Sequence, residues 1–578
     1  MEFVSYDIAS MDFHRAGAAS RAIKDRLKLV GADAEAVRRT MIAAYEAEMN
    51  VVIHSVGGSL EAALSDSQID VNVIDKGPGI PDIESAMAEG FSTASAEARA
   101  LGFGAGMGLP NIKKNSDRLR LSSRVGEGTR VSFTIQLKPG PIGAAHPISL
   151  YASPDRCRDC RACLRACPTR AMRVRDGLPS ILEHLCIDCA ECIAACTSRA
   201  LTLREEIFSL DDLGDKHEVL LVVPPALLAG FGPAYTPGQV MTALRSLGFA
   251  EVITSEPYEQ ALRQAASQLA GASAEPNAAT TARSRPVIVP SCPAVVNLIE
   301  LRFPSLVPHL APFDSPWEAV RAAAADRPTA YVVSCPSQRS ALLAHALAVP
   351  DEPEMEPTVT CREEYLAPEV VRQAVMARLA RGAPETGETP ARQANTAQAP
   401  ATTPAAAASP AQPFSAPAFE PQPLLMVTGA KRVIAVLDEL EDGLLGDLHA
   451  IDPYMCTGGC FGSPLLSEDH HVAAYRWAQG RAALALDAVS AGAAGSPLAK
   501  PRNRPFAARP GLRLDPDMGH AIEKLGRLQA IIDSLPGRDC GACGAPTCAA
   551  LAEDVVTERA DIDLCPYVKP GTKEDSDL

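Results

Sequence analysis

Cys157-Arg158-Asp159-Cys160-Arg161-Ala162-Cys163-Leu164-Arg165-Ala166-Cys167-Pro168 is answered by Cys186-Ile187-Asp188-Cys189-Ala190-Glu191-Cys192-Ile193-Ala194-Ala195-Cys196. One spacing, Cys-x2-Cys-x2-Cys-x3-Cys, is thus written twice, and it is the only internal repeat in the sequence. No cysteine precedes Cys157, five are scattered from Cys292 to Cys460, and four close the chain from Cys540 to Cys565. No signal peptide is visible at Met1 to Ser10, and no apolar run approaches ~18 residues. The best candidate, Glu218 to Gly232, is broken by Pro224 and Pro225. The expected location is therefore the cytoplasm, where seventeen cysteines read as metal ligands before disulfides.

The repeat has the spacing of a two-cluster ferredoxin, which covers the whole segment. Three closely spaced thiolates wrap one face of a cubane, and the fourth ligand comes from elsewhere. The resemblance implies that Cys157, Cys160, Cys163 and Cys196 hold one [4Fe-4S] cluster, and Cys186, Cys189, Cys192 and Cys167 a second. Zinc is the competing reading of such cysteines. Thr197 stands where a second proline is usual. Arg156, Arg158, Arg161, Arg165 and Arg170 crowd the first run, as a solvated face offsetting the anionic clusters or as a dock for an acidic donor.

The 578 residues are too many for one core. The apolar fraction is 47%, so most of the chain can fold. With 4% aromatics and a net charge of −16, no nucleic-acid partner is expected. Arg381 to Pro423, Ala270 to Pro286 and Ala491 to Pro516 read as linkers or insertions from their composition.

Before the cysteines, Ala18 to Leu29 and Ala34 to His54 have helical spacing, Gln68 to Asp75 alternates as a strand, and Ser122 to Leu137 reads as a hairpin turning at Gly126-Glu127-Gly128. Glu46 and Asn50 lie four apart on one helix face. An amide oxygen such as that of Asn50 suits Mg²⁺, and a carboxylate such as Glu46 suits a general base. Asp75-Lys76-Gly77-Pro78-Gly79 ends a strand, and Gly102, Gly104, Gly106 and Gly108 alternate along a stretch able to offer N–H groups to phosphates. These features in this order resemble the GHKL ATPases, and among them the anti-sigma-factor serine kinases. The resemblance implies an ATP site in which Asn50 holds Mg²⁺ and Asp75, with Gly77 and Gly79 after it, binds the adenine amino group. Gly102, Gly104, Gly106 and Gly108 would wrap the phosphates, Thr129 would support the adenine end, and Glu46 would act as the base. A histidine kinase is the weaker comparison, since His14 is a lone histidine with no two-helix dimerisation segment.

His217 to Pro224, Pro286 to Ser291 and Thr329 to Ser334 read as buried strands, the last two running into Cys292 and Cys335. Cys456 and Cys460 form a Cys-x3-Cys among Gly458, Gly459 and Gly462. Residues alone give a four-cysteine site drawn from three distant segments. Pro290-Ser291-Cys292-Pro293, Ser334-Cys335-Pro336-Ser337-Gln338 and Met455-Cys456-Thr457-Gly458-Gly459-Cys460 resemble the three signatures of the [FeFe]-hydrogenases. The resemblance implies that Cys292, Cys335, Cys456 and Cys460 hold the [4Fe-4S] part of an H-cluster, with Cys460 bridging to a two-iron subcluster carrying CO and cyanide. Ser291 stands at the family's proton-relay cysteine, Gln338 at its cyanide-contact lysine, and Val296 at its tryptophan. The departures point to a sensory member rather than a fast catalyst, or to a site holding only the [4Fe-4S] cluster and relaying electrons.

Cys540-x2-Cys543-x4-Cys548-x16-Cys565 follows an amphipathic helix, Met518 to Leu535, and resembles a single [4Fe-4S] module of electron-transfer proteins. Sixteen cysteines then have ligand roles, and Cys361 is left as a buried or free thiol.

The expected fold class is multidomain α/β and α+β. A GHKL ATPase sandwich (1–140) precedes a bacterial ferredoxin fold (148–206). A hydrogenase large-subunit-like α/β domain (215–485, with an insertion at 382–423) and a small helical [4Fe-4S] module (517–570) complete it. The expected cofactors are ATP, Mg²⁺, four [4Fe-4S] clusters and the two-iron unit. The expected activities are ATP-dependent serine phosphorylation, weak hydrogenase chemistry, or both. Expected partners are a serine phospho-acceptor of the anti-sigma antagonist type and a redox protein such as ferredoxin. The chain is expected to form a homo-oligomer, without membrane insertion.

Overall fold

The structure, a computed structural model, describes residues 1–93, 106–140, 148–203, 209–272, 286–324, 327–346, 363–382, 424–445, 448–484, 499–509 and 511–568. Gly102, Gly104, Cys361 and nearly all of the 382–423 insertion lie outside the described residues.

The first unit begins with β1 (Glu2–Ile8), α1 (Ala18–Leu29), α2 (Ala34–His54), β2 (Gly58–Leu64) and β3 (Gln68–Asp75). It continues with α3 (Gly108–Asn115), β4 (Arg118–Arg124) and β5 (Gly128–Gln136). The five strands pair antiparallel in the order β1-β2-β3-β5-β4. Alternation along β3 buries Ile69, Val71 and Val73 and turns Asp70 and Asn72 to the open face. The start of α2 is set by Asp33, whose carboxylate accepts from the backbone N–H of Glu35 and Ala36. Ile23 and Leu27 of α1 and Ala43, Ala44, Ala47 and Val51 of α2 cover the buried face of the sheet.

The second unit is a small repeat of strands and short helices. It comprises β6 (Leu150–Ala152), α4 (Ala162–Ala166), β7 (Met172–Arg175), β8 (Leu178–Ile181), α5 (Glu191–Ala195) and β9 (Leu201–Leu203). β6 pairs with β9 and β7 with β8. Asp159, Arg161 and Arg170 have positive φ, and so do Asp188, Ala190 and Arg199, the residues at the same places in the second run. The two cysteine runs therefore share a backbone path as well as a spacing. Left-handed residues between ligands turn successive N–H groups toward a common centre.

The third unit holds two parallel sheets. The first contains β10 (Leu220–Val223) and β11 (Glu251–Thr254), followed by helix α6 (Glu256–Ala272). β12 (Val287–Ile288), α7 (Pro293–Arg302), β13 (Thr329–Val332), α8 (Pro336–Ala346) and β14 (Glu363–Leu366) follow, then β15 (Leu424–Thr428), α9 (Ala430–Glu441) and β16 (Ala450–Tyr454). The strand orders are β11-β10-β13-β14 and β12-β16-β15. The expected strand at Pro286 to Ser291 is regular only over Val287–Ile288, because Pro290 supplies no N–H for the ladder.

The fourth unit is α10 (Met518–Ser534) and α11 (Cys548–Val556). Its apolar residues Ile522, Leu525, Leu551 and Val556 belong to the same core as Ile23 and Leu27 of the first unit. The described part of Ala491 to Pro516, read from composition as a linker, is instead a strap held by its arginines. Arg502 meets Glu318 at 2.8 Å and Arg509 meets Glu300 at 3.4 Å. The Leu514 N–H donates to the Leu29 carbonyl at 3.1 Å.

Candidate functional site

Helix α2, the end of β3, the start of α3 and β5 enclose a cavity of about 1100 Å³ lined by Glu46, Asn50, Asp75, Gly79, Gly106, Gly108 and Thr129. Spacing had put Glu46 and Asn50 on one helix face, and the resemblance to the GHKL ATPases implied that the others join them. Gly77 is not among the lining residues; its N–H donates to the Asp75 carboxylate at 2.7 Å and so fixes that side chain. A Cβ on Gly108 would lie 3.1 Å from the Asn50 amide oxygen. Backbone at the start of α3 therefore stands directly over Asn50 and Glu46, where a polyanion meets helix N–H groups. The sequence reading missed Asn111, whose amide donates to Glu46 at 2.7 Å and orients the proposed base. Its place three residues into α3, after the glycines, was the available signal. Thr129 is bonded to Ser123 at 2.9 Å.

The outer wall of this cavity comes from the third unit. Ser305, Leu306 and His309 line it from the turn after α7, and Leu440 to Leu444 line it from the end of α9. Lys24 reaches Glu441 at 3.0 Å and Asp442 at 3.2 Å, both pairs buried. Lys28 reaches Glu441 at 3.1 Å and donates to the Arg302 carbonyl at 2.8 Å. Two lysines of α1 thus sit at the C-terminal ends of α7 and α9, where helix dipoles favour cations.

Both helices start at cysteines or beside them. Cys292 is the N-cap of α7. Gly429, the N-cap of α9, donates to the Tyr454 carbonyl at 3.0 Å and abuts Thr457, next to Cys456. Cys292, Cys335 and Cys456 each follow a parallel strand at its carboxyl end, where ligands of open sheets bind. The thiols of Cys292, Cys335, Cys456 and Cys460 act on one another electrostatically, so the three distant segments do converge. Burial pushes the Cys335 thiol up to about 12, and those of Cys456 and Cys460 well above the usual range. Gly462 is required because a Cβ there would run into the Thr457 carbonyl.

Ser291 is buried and faces Asp452. Asp452 accepts from Arg263 at 2.9 Å and from the Tyr454 hydroxyl at 3.2 Å. Gln338 is buried, with its amide oxygen accepting from the Ser334 N–H at 2.8 Å and hydroxyl at 3.0 Å. Glu259, on α6, is pushed up to about 7 by burial, partly offset by Arg263. Glu259, Arg263 and Asp452 carry no local motif. Only their charge within apolar stretches marked them.

In the second unit the Cys163 thiol feels Cys160 and Cys196, whereas Cys186 and Cys189 feel Cys192 and Cys167. Each run's last cysteine therefore crosses to the other run. All sixteen described cysteines are free of disulfides. Among the described residues no three such side chains close on a single ion. A cubane takes one thiolate at each of four irons, and groups of free, converging cysteines are a donor set that fits it.

The units meet through these sites. Cys189 and Ile187 pack in one cluster with Cys292 and Leu298. On the other side, Arg161 donates to the Gly541 carbonyl at 2.9 Å and Arg175 to that of Cys543 at 2.7 Å. Arg161, read as part of a solvated face or as a dock for an acidic donor, instead bonds the backbone of the fourth unit. The order in space is fourth-unit cysteines, first run, second run, four-cysteine site.

Residues 35–139 match the family of histidine kinase-, DNA gyrase B- and HSP90-like ATPases, and residues 149–197 the 4Fe-4S dicluster domain. Residues 217–334 match the C-terminal domain of the iron-only hydrogenase large subunit, and residues 535–567 a putative Fe-S cluster family. The chain carries a GHKL-type ATPase domain and an iron-only-hydrogenase-like domain. The GHKL-type domain is 36% identical over 100 residues to the anti-sigma F factor of Caldanaerobacter subterraneus subsp. tengcongensis, a match spanning 17% of this chain and 62% of that protein. It is 46% identical over 57 residues to the serine/threonine-protein kinase RsbT of Bacillus subtilis, covering 10% of this chain and 37% of the kinase. The hydrogenase-like part aligns with an [FeFe]-hydrogenase of Chlamydomonas reinhardtii at 17% identity and a TM-score of 0.33, over 51% of this chain and 95% of that one. Among the described residues no helix is long and apolar enough to cross a membrane.

Proposed function

We propose that this protein is a regulator in which the state of an iron–sulfur assembly sets the activity of a serine-kinase-type ATPase. Asn50 would hold Mg²⁺, Asp75 the adenine, Gly102, Gly104, Gly106 and Gly108 the phosphates, and Glu46, oriented by Asn111, would take the hydroxyl proton of the acceptor. The sixteen cysteines would hold four [4Fe-4S] clusters, Cys292, Cys335, Cys456 and Cys460 binding the one that belongs to an H-cluster-like site. Clusters so held supply one-electron chemistry. The likeness to an anti-sigma factor and to a serine/threonine kinase supports a serine on an antagonist-type protein as the substrate.

The observation that carries the reading is the shared wall. α7 and α9 begin at the four-cysteine site and end at the nucleotide cavity. At 1.5 Å per residue they span about 15 and 18 Å. Any change that moves either N-terminus is passed to Ser305, His309 and Glu441 by a rigid element. The test compares nucleotide affinity and phosphotransfer of the anaerobic protein after reduction with dithionite or hydrogen and after oxidation. A redox-independent result would refute the coupling.

A second reading is favoured by Gln338, whose oxygen is committed to Ser334. In it the two-iron unit is absent and the site relays electrons alone. Infrared bands in the CO and cyanide region separate the two.

A further inference from the structure

Ser305 is the one hydroxyl that the hydrogenase-like domain brings into the nucleotide cavity, among the described residues. It sits on the turn Pro304–His309, which packs against α2, the helix that carries Glu46 and Asn50. It is half-buried, and its hydroxyl donates to the Glu441 carboxylate. Glu441 is in turn held by Lys24 and Lys28. A serine hydroxyl is a weak nucleophile until a base takes its proton. Here the base is already bonded to it, inside the cavity that suits ATP.

We propose that Ser305 is a phosphorylation site, modified in cis by the ATPase domain of the same chain. The inference rests on the kinase reading above and adds to it the identity of one acceptor. In the step, Ser305 Oγ forms a bond to the γ-phosphorus as the bond from that phosphorus to the β-bridging oxygen breaks. ADP leaves, and the hydroxyl proton passes to Glu441, which takes for this residue the place that Glu46 has for an external acceptor. The product places a charge of about −2 beside Glu441. Lys24 and Lys28 can then pair with the phosphate, and the carboxylates that latch the two domains repel it. Phosphorylation would therefore loosen the wall that α7 and α9 present to the nucleotide.

His309 is the other acceptor in the wall. Its Nδ1 donates to the Pro286 carbonyl at 3.0 Å, leaving Nε2 as the nucleophilic atom. The two differ in chemistry, since phosphoserine survives acid and phosphohistidine does not.

The test uses the full chain, reconstituted anaerobically, with radiolabelled ATP and Mg²⁺, followed by peptide mapping. The expected result is a single acid-stable phosphate on Ser305, formed at a rate constant unchanged by dilution. Ser305→Ala abolishes it, Ser305→Thr restores it as phosphothreonine, and Glu441→Gln slows it at least about tenfold. Nucleotide bound and ADP released without label on the chain would overturn the proposal, as would acid-labile label on His309 or a rate that rises with protein concentration. Failure of the wild-type protein to bind ATP at all would overturn the kinase reading as well, and so is distinguishable.

Discussion

Arg173 and Asp554 form a bidentate ion pair, 2.5 and 2.9 Å, buried between the dicluster domain and the C-terminal helix pair. Arg175 joins the same carboxylate at 2.7 Å. Removing one member of a buried pair strands the other. Asp554→Ala is therefore expected to destabilise the docked arrangement by about 3–5 kcal/mol. Urea unfolding of the anaerobic protein measures it, and an unchanged midpoint would show that the contact holds nothing.

The latch between Glu441 and the lysines of α1 has a pH window. Burial opposes ionisation of Glu441, but Lys28 and Lys24 outweigh it and hold the carboxyl below its usual 4.5. Its contribution is thus complete above pH 4.5 and is lost as pH falls through the lowered value in the folded protein. Lys24 is raised above 10.5 despite burial, by Glu441 and Asp442, so its share is present below that pH and fades as pH rises through the folded value. Burial lowers Lys28 below 10.5 despite Glu441, so it gives up its proton first as pH rises, and hydrogen exchange at α1 and α9 is expected to stay slow from pH 4.5 up to that lowered value. Glu441→Gln should make exchange at both helices faster at neutral pH.

Glu259 works in the opposite sense. Its carboxyl is raised by burial to about 7, so the folded protein loses stability as pH climbs from about 4.5 to about 7. Glu259→Gln should flatten that slope in thermal melts across the interval. A mutant that retains the slope would place its origin in another group.

Glu46→Gln keeps the amide-to-side-chain contact with Asn111 but removes the base. Phosphotransfer is expected to fall by about 10²–10⁴-fold while nucleotide affinity holds. Equal loss of binding and transfer would make Glu46 a ligand-holding residue instead.

Cys189→Ala removes one of four ligands to a single proposed cluster. The expected loss is about four of about sixteen irons per chain after reconstitution. Loss confined to less than one iron would argue that Cys189 binds nothing.

The parts of the fold that read clearly from sequence are those written within a turn or two of chain. Helices α1 and α2 and strand β3 have the limits that spacing predicts, with Asp33 capping α2, and the hairpin turns at Gly126 as expected, but its first strand begins at Arg118 rather than Ser122. The cysteine runs were legible because their spacing is itself the ligand geometry. What could not be read is what joins residues hundreds of positions apart. Lys24 to Glu441, Arg173 to Asp554 and Ser305 in the nucleotide cavity leave no periodic trace. Composition misled at 499–516, where prolines and glycines suggested a free linker while Arg502 and Arg509 pin it.

The core that joins Ile23 and Leu27 to Leu525 and Val556 has a consequence for biosynthesis. A ribosome delivers the first unit first, yet the last buried side chains of its core emerge only after every cysteine-bearing segment before α11 has been translated. Nascent chains stalled or truncated between the two would expose an unfinished apolar surface, inviting chaperones or proteases. A completed first unit would then be found only in polypeptides long enough to carry the cysteine-bearing segments as well.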